Sequence, residues 1–284
     1  MRTVPPRFSL VRTDPRRVLV LLIVGLHLVA AGGYSLAQTK DEKRDDERSK
    51  RTREMDERAR QIKVYQVKEG KNLEVLRREQ PLLRFSDPTR EFIDGTVWAW
   101  GTSGRPLAIV TLERYEPQWS YELLSLATNG IVADLPTGQR WAPRKPGLEW
   151  QAFPGAPGPA DGEAQRLRQM KTLMERFSGF ETIEGGNFEL RRMPVPIHRY
   201  SDRDSGIRDG ALFVLAYGTN PEVLVVIECR GTGKPRWYYS LSRLTTAPVT
   251  VRLDGRDVWT RPYLEFPAVL DEPYAGFSTT AQPK

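Results

Sequence analysis

The chain has 284 residues, 39% hydrophobic and 28% charged, with a formal net charge of +7, one cysteine and two histidines. That length supports a real hydrophobic core, while a lone thiol excludes an intrachain disulfide, and one His plus one Cys beyond the leader exclude a zinc cluster. The basicity is no argument for nucleic acid: residues 1–37 hold Arg2, Arg7, Arg12, Arg16 and Arg17 against Asp14, leaving about +3 for everything that follows.

Those first 37 residues read as a secretory signal peptide. A basic stretch to Arg17 precedes the apolar run Val18–Ala31, and Ser35-Leu36-Ala37 supplies the small-x-small pattern of a cleavage site. The expectation is export to the periplasm or cell surface. The alternative is an inner-membrane anchor formed by residues 18–37 with the remainder outside the cytoplasm, since the run extended through Ala37 reaches the length of a spanning helix. Residues 38–50 form a charged stalk of mixed sign with no apolar stripe.

From residue 51 the chain matches itself. An offset of 115 aligns Met55 with Met170, Glu69-Gly70 with Glu184-Gly185, Arg84-x-Ser86-Asp87 with Arg199-x-Ser201-Asp202, Asp94-Gly95 with Asp209-Gly210, and Glu113 with Glu228. After three extra residues, an offset of 118 aligns Trp119 with Trp237, Tyr121 with Tyr239, Leu126 with Leu244 and Trp141 with Trp259. So long a period indicates two copies of a small domain rather than a solenoid: repeat 1 at 51–143, a Pro/Gly linker at 144–162, repeat 2 at 163–265, and a tail at 266–284 that frays from Ser278.

Each copy opens with an amphipathic helix, marked by Met55, Ala59 and Ile62 in the first and by Leu167, Met170, Met174 and Phe177 in the second, where Asp161 is the expected N-cap and Gly179 the stop. Strands follow. The first copy reads Leu73–Leu76, Leu82–Ser86, Thr96–Thr102, Leu107–Glu113, Ser120–Leu126 and Ile131–Leu135. The second reads Phe188–Arg191, Ile197–Ser201, Ala211–Tyr217, Val223–Glu228, Tyr238–Leu244 and Val249–Leu253. Short spacings leave no room for crossover helices, so neighbours pair antiparallel. Val223–Ile227 is apolar on both faces and belongs at the centre of a sheet. The expected fold is α+β: two tandem repeats, each a helix plus a five- to six-stranded antiparallel sheet, packed edge to edge or face to face.

Chemistry-bearing residues are sparse. His198, Ser201 and Asp202 fail as a triad, because residues three apart on a strand face opposite sides and no Gly-x-Ser-x-Gly elbow occurs. Cys229 reads as a buried, inert thiol. Asp94-Gly95 and Asp209-Gly210 read as turn dipeptides, Asp87 and Asp202 as Asx turns, and Glu113 and Glu228 as cross-strand partners of Arg84 and Arg199. Trp98 and Trp100, and the matched tryptophans, read as core. No metal or cofactor is expected. The binding candidates are the repeated arginines Arg84 and Arg199, and Trp150, His198 and Tyr217, which have no like counterpart in the other copy.

The blocks Asp209-Gly-Ala-Leu-Phe-Val, Asn220-Pro-Glu-Val-Leu-Val-Val-Ile-Glu228 and Trp237-Tyr-Tyr-Ser-Leu-Ser-Arg resemble exported proteins of unassigned function expanded in planctomycete-type bacteria. The resemblance implies export and nothing about activity, and it carries over no site residues. The expectation is therefore an exported, non-catalytic binding or structural module whose partner is a protein or a small molecule, with membrane contact only through an uncleaved N-terminal segment. The alternative is a carrier or enzyme with a site at the seam between the repeats.

Overall fold

The computed structural model describes residues 46–87, 92–115, 117–128, 130–231, 233–265 and 269–280. The expectations for the leader and for most of the stalk lie outside the described residues. No helix among the described residues is long and apolar enough to cross a membrane. The chain divides into two compact units, residues 1–53 and 54–284. The described part of the first is helical, with Thr52 Oγ1 donating to the Arg48 carbonyl at 2.9 Å. Everything below concerns the second.

Within it, the last turns of helix α1 (46–60) carry Met55 and Ala59, fully buried, with Ile62 just beyond the helix end, as the apolar spacing predicts. Then follow β1 (Lys63–Lys68), β2 (Lys71–Val75), β3 (Leu83–Asp87), β4 (Phe92–Trp100), β5 (Ala108–Tyr115), β6 (Gln118–Ser125), β7 (Ile131–Asp134), β8 (Arg140–Trp141) and β9 (Gln151–Ala152). Helix α2 (Glu163–Glu175) leads into β10 (Phe177–Ile183), β11 (Gly186–Glu189), β12 (Arg191–Arg192), β13 (His198–Asp202), β14 (Ile207–Tyr217) and β15 (Asn220–Arg230). The chain closes with β16 (Arg236–Arg243), β17 (Val249–Leu253), β18 (Arg256–Arg261) and β19 (Tyr274–Thr279).

These strands form four sheets, not the two expected, and every pairing between them is antiparallel. Two are small: β2-β1-β7-β8 and β11-β10-β17-β18. Two are large: β19-β6-β5-β4-β3, and β12-β14-β15-β16-β9 with β13 also on β14. The difference comes from β1 and β10, strands hidden directly behind the helices. Each recruits β7 or β17 away from the large sheet. In the first, two lysines bracket a stretch in which only Val64 is buried, so no apolar alternation marks it. In the second, Gly179 is not a helix stop but a residue of β10 paired with Val251. The hairpins β1–β2, β10–β11 and β17–β18 turn through Glu69-Gly70, Glu184-Gly185 and Asp254-Gly255, each with positive φ at both residues, as the tightest hairpin turns require.

The N-cap of α2 is Gly162, with no side-chain cap. Asp161, the expected cap, instead pairs with Arg208 at 3.0 Å. Likewise Asp94-Gly95 and Asp209-Gly210 are not turns. Both sit inside strands, opposite Arg114-Glu113 and Cys229-Glu228. The glycines are required there because an aromatic ring lies across each: a Cβ would fall 2.5 Å from Phe85 at Gly95 and 2.6 Å from Tyr200 at Gly210.

Three apolar clusters make the core. One packs α1 and the first small sheet on the outer face of the β5 sheet around Trp98, Trp100, Tyr121 and Trp141. The second does the same with α2 and the β15 sheet around Met170, Phe177, Phe213 and Trp237. The third joins the inner faces of the two large sheets, which therefore pack face to face, with Val97, Ile109 and Leu126 against Leu212, Leu224, Val226 and Leu244. Strands β5 and β15 are central, the latter buried along nearly its whole length.

Candidate binding cleft beside the seam

The seam is apolar in its middle and polar at its ends. At one end Glu228, fully buried, accepts hydrogen bonds from Arg105 at 2.8 Å and from the Tyr200 hydroxyl at 2.6 Å, while Arg230 lies 3.2 Å from its other oxygen. A carboxylate taken out of water persists only with such partners. Arg105 belongs to the β4–β5 loop, so this cluster ties one large sheet to the other. The β14–β15 turn makes a reciprocal contact: Thr219 Oγ1 donates to the Ser86 carbonyl at 2.5 Å.

At the other end, burial holds the Glu122 carboxyl well above the usual carboxylate range, Glu113 and Glu222 push it the same way, and Tyr274 and Arg243 oppose them. Next to Tyr274 opens a cleft of about 670 Å³, within the size range of ligand sites. Strand β16 supplies Leu241, Ser242 and Arg243, β18 supplies Trp259 and Arg261, and the linker supplies Lys145, Pro146, Gly147 and Glu149. The linker is seated rather than loose. Ser242 Oγ donates to the Gly147 carbonyl at 2.9 Å, Leu148 and Trp150 enter the seam cluster, and Gln151–Ala152 pair with Tyr239 and Tyr238.

Arg243 is buried, and its guanidinium donates to the carbonyls of Thr245, Pro262 and Ala247 at 2.6, 3.1 and 2.9 Å. It thereby fixes the chain that leads to β18. Burial lowers its pKa, and the neighbouring Arg261 adds to the lowering. Arg261 lies over Trp259 at 4.7 Å and donates to the Thr260 carbonyl. Among the described residues it has no carboxylate partner. Lys145 pairs with Glu272 at 3.0 Å, and Glu149 is exposed. The cleft can thus hold an apolar body against Trp259, Leu241 and Leu264 and an anionic group beside two arginines.

None of the five candidates read from the sequence lines this cleft. Arg84 pairs with Asp94 and Arg199 with Asp209, at 2.9 and 2.7 Å in the latter case, and Arg199 does not pair with Glu228 as expected, Glu228 being held by Arg105, Tyr200 and Arg230. The reason is register: each arginine sits beside Thr96 or Ala211 and reaches the aspartate two residues back along the same strand. Asp209 also holds Arg166 of α2 at 2.9 Å. Trp150 lies at the Glu228 end, 4.2 Å from Arg230 and 5.3 Å from Arg105. His198 is half-buried on β13, stacked near Tyr200, and burial followed by Arg78 lowers its pKa to about 4. Tyr217 packs edge-on against Phe188, away from the seam. Asp202 does form its Asx turn, accepting from Ser205 N at 3.1 Å, while the Asp87 side chain lies outside the described residues. Cys229 is buried in the second core with its thiol pushed up by that burial. Among the matched tryptophans, Trp259 departs from the core reading by being partly exposed in the cleft.

The signal missed in the sequence was asymmetry at two other positions. Arg243 corresponds to Ser125 and Arg261 to Pro143 at the 118 offset, so the cleft's cations are peculiar to the second half. Compared with protein-family models, with curated proteins and with solved structures, the chain gives no significant match.

Proposed function

We propose that this chain is an exported, non-catalytic binding module built by duplication of one α+β unit, with its ligand contacts in the cleft. The observation that carries the module reading is the filled seam. Val97 and Leu212, Ile109 and Leu224, and Leu126 and Leu244 are matched pairs at the repeat offsets, and all six are buried to 3% exposure or less. A seam filled by matched apolar residues favours a packed interface over a substrate site, and at one of its ends Glu228 is held by Arg105, Arg230 and the Tyr200 hydroxyl.

What supports duplication is the correspondence of strand order within the small sheets, the matched hairpin turns, and the reciprocal loops that reach Glu228 and Ser86. What supports export is the tripartite pattern of residues 1–37. The test is to recover the full-length product from the producing cell by fraction and weigh it intact. The expected result is protein outside the cytoplasm lacking residues 1–37, with no small molecule bound in the seam. Retention in the cytoplasm overturns the export reading, and a ligand wedged against Trp150 and His198 overturns the packed-seam reading. A small-molecule carrier is the second reading, favoured by the cleft's volume. A compound co-purifying in the cleft would establish it.

A further inference from the structure

We propose that the outer edge of β16 beside the cleft docks an extended peptide segment of a partner protein, apolar with an acidic residue, as an added strand. This rests on the reading of the chain as a binding module and names the ligand of that module.

The backbone argument comes first. The Trp237 carbonyl accepts from Phe153 N at 2.9 Å on the side of β16 away from β15. Strand alternation turns the backbone groups of Tyr239, Leu241 and Arg243 to that same side. Tyr239 is paired with Gln151, but β9 stops there, and no backbone hydrogen bond from the described residues reaches Leu241 or Arg243 on that side. The linker has dived beneath the edge into the seam, where Gly147 sits against Ser125. Both residues are nonetheless largely buried, at 7% and 8% exposure, so their free donors and acceptors are costly to leave unmet.

The other large sheet shows what completes such an edge. At the corresponding positions Leu123 pairs with Ala275 of β19, and Ser125 N donates to the Pro273 carbonyl at 2.8 Å. Strand β19 covers β6 from Trp119 to Leu124, six residues, where β9 covers two residues of β16. The cleft lies where the missing continuation would run. A segment of about four residues spans Ser240 to Arg243 at strand rise, and added strands draw affinity from the main chain and specificity from alternate side chains.

The walls set the side chains. Trp259 and Leu264 offer apolar contact. Arg261, without a carboxylate partner and beside Arg243, offers a site for one acidic group. Glu149 and the Lys145–Glu272 pair complete the lining and disfavour a uniformly acidic segment.

The experiment selects a displayed library of random hexapeptides on the full-length secreted protein, then titrates the enriched peptides against wild type and Arg261→Glu. Amide hydrogen exchange is read at Leu241 and Arg243. The expected result is enrichment of alternating apolar sequences with one acidic residue, new protection at both amides, affinity lowered about tenfold or more by Arg261→Glu, and loss of binding when the peptide backbone is N-methylated. No enrichment overturns the proposal, as does equal binding of N-methylated peptides, which would make the cleft a pocket for side chains or small amphiphiles. The module reading fails separately: recovered peptide whose mass has changed signifies catalysis, whereas unbound but intact peptide sinks the docking site alone.

Discussion

The strongest quantitative test of the two-sheet arrangement is Arg105→Met. Arg105 reaches from the β4–β5 loop to Glu228 on β15 at 2.8 Å, and their side chains are 9% and 0% exposed. Removing one partner of a buried pair costs about 3–5 kcal/mol, because the other charge stays behind without compensation. Here Arg230 and the Tyr200 hydroxyl remain on the carboxylate, so the low end, about 3 kcal/mol, is expected. For a unit of this size that lowers Tm by about 6–12 °C. Urea denaturation followed by tryptophan fluorescence measures the loss directly. The double variant Arg105→Met/Glu228→Leu removes both charges but leaves the Tyr200 hydroxyl without an acceptor and the part-exposed Arg230 without its carboxylate, so it should regain part of the loss. A single-variant loss below about 1 kcal/mol, the scale of an exposed pair, would refute the reasoning. So would a double variant as unstable as the sum of its parts.

Gly147→Ala would place a Cβ 1.8 Å from the Ser125 carbonyl oxygen. That neighbour is backbone and cannot swing aside, so a loss of about 2–3 kcal/mol in the same assay is expected, and unchanged stability would show the linker unseated. Glu122 is protonated to higher pH in the folded state than in the unfolded chain. Its contribution is therefore full below the ordinary carboxylate range and falls as pH rises through the folded value. Glu122→Gln should match wild type in acid and exceed it at neutral pH, and parallel stability profiles would contradict the burial argument. His198, with its pKa lowered to about 4, contributes fully above the usual value near 6.5 and progressively less as pH falls toward 4. Its ring proton signals should stay constant by NMR from about pH 8 to about pH 5.5, and a midpoint near 6.5 would refute its desolvation.

Period and pattern carried the α+β class, the antiparallel pairing and the central place of β5 and β15, because Val223–Ile227 can only be buried on both faces. Trp98 and Trp100 were legible as core for the same kind of reason: their counterparts, Phe213 and Leu215, are apolar. What escaped were short strands whose apolar content is borrowed from tertiary neighbours. Lys63–Lys68 reads as the end of a charged run until Val64 meets Ala133, and Gln151–Ala152 has no strand character outside its partner β16. Arg84 and Arg199 were identified as noteworthy, but their bonds to Asp94 and Asp209 were not foreseen, since local sequence does not reveal that those aspartates lie within strands. The cleft was illegible because its walls come from the linker, β16, β18 and β19, segments that only the tertiary fold assembles.

Strand β19 also bears on the order in which the molecule can form. The β5 sheet is laid down early in the chain, yet its edge is Tyr274–Thr279, with Phe277 stacked on Tyr121 at 4.5 Å and Ala275 in the same core. A nascent chain therefore carries β6 with one side bare until Tyr274–Thr279 has been made, and closing it joins segments about 150 residues apart, the slow kind of contact. The β5 sheet waits for β19, and a chain cut before Tyr274 is left with a strand edge ready to pair with another copy.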